Sequence, residues 1–149
     1  MRTVAFDPGT KLGWAWREDD VLGSGWTDCS VGRHESAGMR FVKAKARIED
    51  LIDGDTDLVV YEDVRAHRGT YAAQIYGGIV SLIQTRCIEC DVPYMGAPVG
   101  KVKKHATGKG NADKVAMVDA AQKAFGPEVT DDNEADALWV LDWALNQDS

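Results

Sequence analysis

The stretch that most constrains this sequence is Leu58-Val59-Val60-Tyr61, an unbroken apolar run that leads straight into Glu62 and Asp63. A short continuous apolar run is the pattern of a strand buried on both faces. Such a strand needs helices above and below it, and the chain supplies them. Met39, Val42, Ala46 and Ile48 to Ile52 recur at a helical period over residues 36–53, with Gly54 placed to stop the helix. Residues 70–90 read as a second helix, whose Gly77 and Gly78 permit close packing. Upstream, residues 2–7 and 11–17 read as strands around the turn Pro8-Gly9-Thr10, and Val21 to Cys29 completes an antiparallel meander. Downstream come a short strand from Val92 to Met95, a basic segment and a helix from about Asn111 to Phe125. Gly126-Pro127 breaks the chain before a last helix from about Asp132 to Leu145. This order predicts an α/β fold: a five-stranded mixed β-sheet flanked by α-helices.

The chain has 149 residues, 44% hydrophobic and 28% charged, the balance of one soluble domain spanning residues 1–149. Its uncharged stretches fall short of the ~20 apolar residues of a membrane span, so no membrane partner is expected. An acid as early as Asp7 does not suit a secretory leader, and three cysteines without one point to a reducing, cytoplasmic setting. The net charge of −7 argues against nucleic acid only until it is located. Residues 128–149 hold seven acids and no Lys or Arg, which leaves residues 1–127 neutral overall. Within them, Lys101, Lys103, Lys104, Lys109 and Lys114 face one acid, Asp113. A phosphate backbone feels this local field, because charges beyond about 8 Å are screened at physiological salt.

Four acids stand where elements end. Asp7 closes the first strand and Glu62 the apolar strand, and open α/β sheets gather functional groups at such ends. Asp132 and Asp136 are four apart on the last helix and share a face; Asn133 leans toward it and Glu134 away. Carboxylates that converge in this way call for divalent cations, and an all-oxygen donor set suits Mg²⁺ or Mn²⁺. The plainer alternatives are a turn residue at Asp7, a solvated strand end at Glu62 and helix N-capping by the Asp131-Asp132-Asn133-Glu134 cluster.

Four blocks together resemble a known family: Val4-Ala5-Phe6-Asp7-Pro8-Gly9-Thr10 with Gly13 and Trp14; Val59-Val60-Tyr61-Glu62; the lysine-glycine segment from Val102 to Lys114; and Asp132-Asn133-Glu134-Ala135-Asp136-Ala137-Leu138. In order and spacing they resemble the RuvC-type Holliday-junction resolvases, most closely the phage-encoded branch. The resemblance implies an RNase H-like fold and a homodimer that cuts opposed strands of four-way, branched DNA. It also implies two Mg²⁺ ions per site (Mn²⁺ substituting), no small-molecule cofactor, and products with a 5′-phosphate and a 3′-hydroxyl. Asp7, Glu62 and Asp136 carry over onto the family's metal-binding acids. Many members have an acid or His where this chain has Asn133, and Asp132 is the expected fourth acid, with Asn133 as a neutral neighbour. Lys103 and Lys114 carry over onto basic residues beside the scissile phosphate, and Lys101, Lys104 and Lys109 add field. The loop after Glu62 lacks the aromatic wedge of some relatives, leaving Arg65, Arg68 and Tyr71, with His67, as DNA contacts. The setting implied is the bacterial cytoplasm, or that of an infected host.

Rival readings are an RNase H-like nuclease for RNA–DNA hybrid or structured RNA, a nucleotide-binding module of the actin and sugar-kinase type, and a junction-binding protein without activity. The kinase-like module needs two lobes and has no use for the lysines. Cys87 and Cys90 have the spacing of half a metal site but no partner pair, and read as structural thiols. Trp139 and Trp143 read as packing residues, and His34 as a surface residue.

Overall fold

A computed structural model describes residues 1–147; Asp148, counted above in the acidic tail, lies outside them. Strands β1 (Arg2–Asp7), β2 (Lys11–Glu18) and β3 (Val21–Asp28) form the expected meander. Helix α1 (Met39–Leu51) leads to β4 (Leu58–Asp63), α2 (Gly69–Glu89) to β5 (Tyr94–Pro98), and α3 (Val99–Thr107), α4 (Lys114–Phe125) and α5 (Asp132–Leu145) follow. The sheet order is β3-β2-β1-β4-β5, antiparallel through the meander and parallel from β1 through β4 to β5. β1 is therefore the central strand, with β4 beside it, and the five-stranded mixed α/β sheet is as expected.

Side chains alternate across the sheet with the period of two that strands impose. Val4, Phe6, Leu12 and Val59 face α1 and α2, where Ala44, Ile48, Ile79 and Ile83 complete one core. Ala5, Ala15, Val60 and Ala97 face the other way, under α5, with α3 and α4 outside it. α5 is buried at Ala135, Ala137, Leu138, Trp139, Val140, Leu141 and Trp143, because it lies between the sheet and two more helices. Trp139 packs on Phe125 and donates its indole N–H to the Met117 carbonyl, the packing role expected of it.

Three local readings need correction. The basic segment, to which the sequence pattern assigned no helix, is helical over residues 99–107, with Val102 buried and Gly108 closing the helix in the left-handed region at φ 87°. The fifth strand starts two residues later than expected, since the Val92 N–H is still bonded to the Cys87 carbonyl at 2.8 Å and Asp91 turns the chain at φ 58°. Gly54 does not cap α1, which ends at Leu51 with Ile52 as its cap. Gly78, by contrast, does mark a close contact, because a Cβ there would strike the Phe41 ring of α1. Cys29, Cys87 and Cys90 are free thiols, and burial pushes Cys87 up to about 11, which makes it inert.

Candidate metal centre

The parallel pairing of β1 and β4 sets Phe6 opposite Tyr61, so Asp7 and Glu62 follow as neighbours at the carboxyl ends of the two central strands. Both belong to the α5 face, since they share parity with Ala5 and Val60. α5 reaches them because nothing projects from Gly13: a Cβ there would lie 2.0 Å from the Asn133 carbonyl oxygen. That contact is backbone against backbone and leaves no room for a side chain. It seats the start of α5 on β2 and brings Asp136 over the strand ends. Asp7, Glu62 and Asp136 each offer a carboxylate oxygen within 4.8 Å of the others.

Their electrostatics show how unfavourable this is without a cation. Asp7 is held well above the usual carboxylate range by burial first, then by the charges of Glu62, Asp136, Asp132 and Asp131. Burial pushes Glu62 up to about 7 against the opposing pull of Lys103. Asp136 also rises to about 7, through burial and then Glu62 and Asp132, opposed by Lys103 and Lys114. Among the described residues no ion pair or hydrogen bond engages the three carboxylates, whereas Asp131 and Asp132 beside them are both engaged. Unpartnered, half-buried and buried oxygens converging from three elements fit a hard divalent cation.

The capping alternative holds for Asp131, the first acid of that cluster, and not for Asp132. Asp131 is the N-cap of α5, accepting from the Asn133 and Glu134 amides at 2.8 and 2.9 Å. Glu134 points away from the site and accepts from the Ser24 hydroxyl at 2.7 Å. Asp132 stays outside the three-oxygen group, one turn from Asp136, with its carboxylate 3.6 Å from the Lys114 ammonium.

The lysines divide into two sets. Lys103, half-buried on α3, and Lys114, the first residue of α4, are the two whose charges act on the acids. Lys101 and Lys104 are exposed on α3, and Lys109 is exposed beyond it. After Glu62, Arg65 is tied back to Asp63 at 3.0 Å and Arg68 is exposed at the cap of α2. Tyr71, 63% exposed, lies under the Arg40 guanidinium and accepts from it at 3.0 Å. His67 packs against Tyr76 with the rings tilted, and both line one cavity with the turn at Pro8 to Thr10. Reading the sequence missed two residues on the metal-centre face: Lys11 and the exposed Trp26, whose placement depends on strand register.

No protein-family model and no curated protein matches the sequence. Solved structures do match the fold. The chain is similar to Thermus thermophilus RuvC, with a TM-score of 0.73 and 21% identity over 94% of this chain and 90% of that one. It is also similar to T. thermophilus RuvC in complex with a Holliday junction substrate, with a TM-score of 0.76 and 20% identity over the same shares of the two chains. The RNase H-like architecture expected from the sequence is thus the fold of this chain.

Proposed function

We propose that this chain is a metal-dependent Holliday-junction resolvase, a structure-selective endonuclease for four-way DNA. The observation that carries this reading is the convergence of Asp7, Glu62 and Asp136 at the strand ends of an RNase H-like sheet, with Lys103 and Lys114 beside them. The likeness to T. thermophilus RuvC solved with a Holliday junction substrate supports the substrate class. Asp7 on the central strand, Glu62 and Asp136 would hold two Mg²⁺ ions, or Mn²⁺ in their place, with Asp132 as the fourth acid at the rim. Such ions, when bound, would activate water and stabilise charge on the departing 3′ oxygen, and the products would carry a 5′-phosphate and a 3′-hydroxyl.

The chain's own residues orient the substrate. Lys103 comes from α3 and Lys114 from α4, and both charges act on the acids, so a phosphate placed over the acids would meet both cations. Lys101, Lys104 and Lys109 continue that field outward, where the flanking duplex would run. A homodimer would present two such centres to opposed strands of one junction. The Asp132-Asn133-Glu134-Ala135-Asp136-Ala137 block supports the phage-type branch of these enzymes, with the cytoplasm as the proposed setting.

The test is competition. A labelled four-way junction, held uncut in Ca²⁺, is challenged with unlabelled junction, linear duplex and RNA–DNA hybrid. The junction is expected to displace itself at least about tenfold better than either rival. Preferential displacement by the hybrid would move the assignment to RNA.

A further inference from the structure

The β2–β3 hairpin carries three tryptophans, and the structure treats one of them differently. Trp14 and Trp16 face α1, lying across Gly25 and Gly23 of β3 with Arg47 and Arg2 against their rings. Trp26 has the opposite parity, is 42% exposed, and is the exposed one of the chain's five tryptophans. The Lys11 ammonium lies 5.5 Å from the Trp26 ring centre.

Register places this pair relative to the metal centre. Asp7 pairs with Gly13, and Gly13 pairs with Trp26, so the three form one row across the sheet. Directly opposed residues point to the same face. The Ser24 to Glu134 hydrogen bond confirms that the even positions of β3 face α5. Lys11 is two residues before Gly13 and shares its side. Trp26 and Lys11 therefore share the face of the acids. Trp26 lies two strand spacings, roughly 9–10 Å, from Asp7, with the start of α5 seated on Gly13 between them. Lys11 lies one strand spacing across and two residues along. They lie on the opposite side of the centre from β4, β5 and the α3 that follows them.

We propose that Trp26 and Lys11 form a second nucleic-acid contact, an aromatic face for a base and a cation for its phosphate, on the strand leaving the metal centre. This rests on the nuclease reading and goes beyond it, since it assigns the side opposite the lysine helix. An exposed indole with an ammonium at its face is the chemistry with which proteins hold an unpaired strand. At the about 3.4 Å per nucleotide of a stacked strand, the contact falls about three nucleotides from the scissile phosphate.

The experiment measures binding of a labelled four-way junction in Ca²⁺ by the full chain and by Trp26→Ala, Trp26→Phe and Lys11→Ala. Each protein is also melted, because an exposed residue should leave the unfolding midpoint in place. Trp26→Ala is expected to weaken binding at least about fivefold, with Trp26→Phe retaining most of it. Lys11→Ala should lower the salt slope by about one. An abasic site scanned along the strand should reproduce the loss near the third nucleotide and add nothing to Trp26→Ala. Equal binding by wild type and Trp26→Ala overturns the contact while leaving the nuclease reading intact. Equal losses in the Ala and Phe variants, or an abasic effect fully additive with Trp26→Ala, also overturn it. A wild type that binds neither junction, duplex nor hybrid overturns both.

Discussion

The two faces of the sheet are built to different rules. Toward α1 and α2 the strands present Val4, Phe6, Leu12 and Val59 to Ile48, Ile79 and Ile83, which fill volume and hold helices at ordinary distance. Toward α5 the sheet presents Ala5, Gly13, Ala15 and Ala97 around the one larger Val60, and the helix answers with Ala135 and Ala137. Small side chains on both partners let α5 settle close, and that closeness brings Asp136 to Asp7 and Glu62. One face is spent on stability. The other gives up bulk to assemble a charge cluster that costs stability until a cation neutralises it.

The comparison is broken most severely at its chemical end. Asp7→Asn is expected to abolish junction cleavage, a loss of at least about a thousandfold, while junction affinity changes little. Loss of binding together with cleavage would make Asp7 structural. Gly13→Ala comes next, because the new Cβ meets backbone at Asn133 rather than a side chain that can swing aside. A shift of α5 by about 1 Å should slow cleavage by about a hundredfold, read in single-turnover assays. On the other face, Ile79→Ala should cost about 2–5 kcal/mol in denaturant unfolding yet leave the cleavage rate of the folded protein near wild type.

Legibility in the sequence followed the range of the interaction. The strand at residues 58–61, the turn at Pro8 to Thr10 and the span of α5 are set by local pattern, and each is found where the sequence indicated. Asp7, Glu62 and Asp136 were visible as strand-end and helix-face acids. Asp132 was harder to place, because a spacing of four fixes the helix face but not the height. One turn is about 5.4 Å, enough to put Asp132 at the rim beside Lys114. α3 was hidden by its lysines, since only Val99, Val102 and Ala106 carry its apolar side. Trp26 and Gly13 take their meaning from register and from backbone approach, which no single-strand pattern encodes.

Milder changes sharpen the same contrast. Lys103→Ala with Lys114→Ala should reduce the slope of log affinity against log salt by about two, and an unchanged slope would remove both from the DNA path. The acids also give the metal-free protein a pH signature. Glu62 and Asp136, raised to about 7, bind protons in the folded state that the unfolded chain has already released above about pH 4–5. The folded state thus holds more protons across that window, so stability should fall as pH rises from about 5 to 8. Asp136→Asn should flatten that slope in thermal melts, and Mg²⁺ at the alkaline end should restore the midpoint. The smallest effect is expected at Gly77, where a Cβ meets nothing within 4 Å. Gly77→Ala should stabilise the chain by about 0.4–1 kcal/mol without altering cleavage.

The most direct test is incision of a mobile four-way junction beside matched linear duplex, by wild type and Asp7→Asn, in Mg²⁺, Mn²⁺ and EDTA. Paired nicks in opposed strands of the junction, present with either metal and absent in EDTA and in Asp7→Asn, are the predicted result. Nicks that persist in EDTA or in Asp7→Asn, or a wild type that binds the junction and leaves it uncut with both metals, would contradict it.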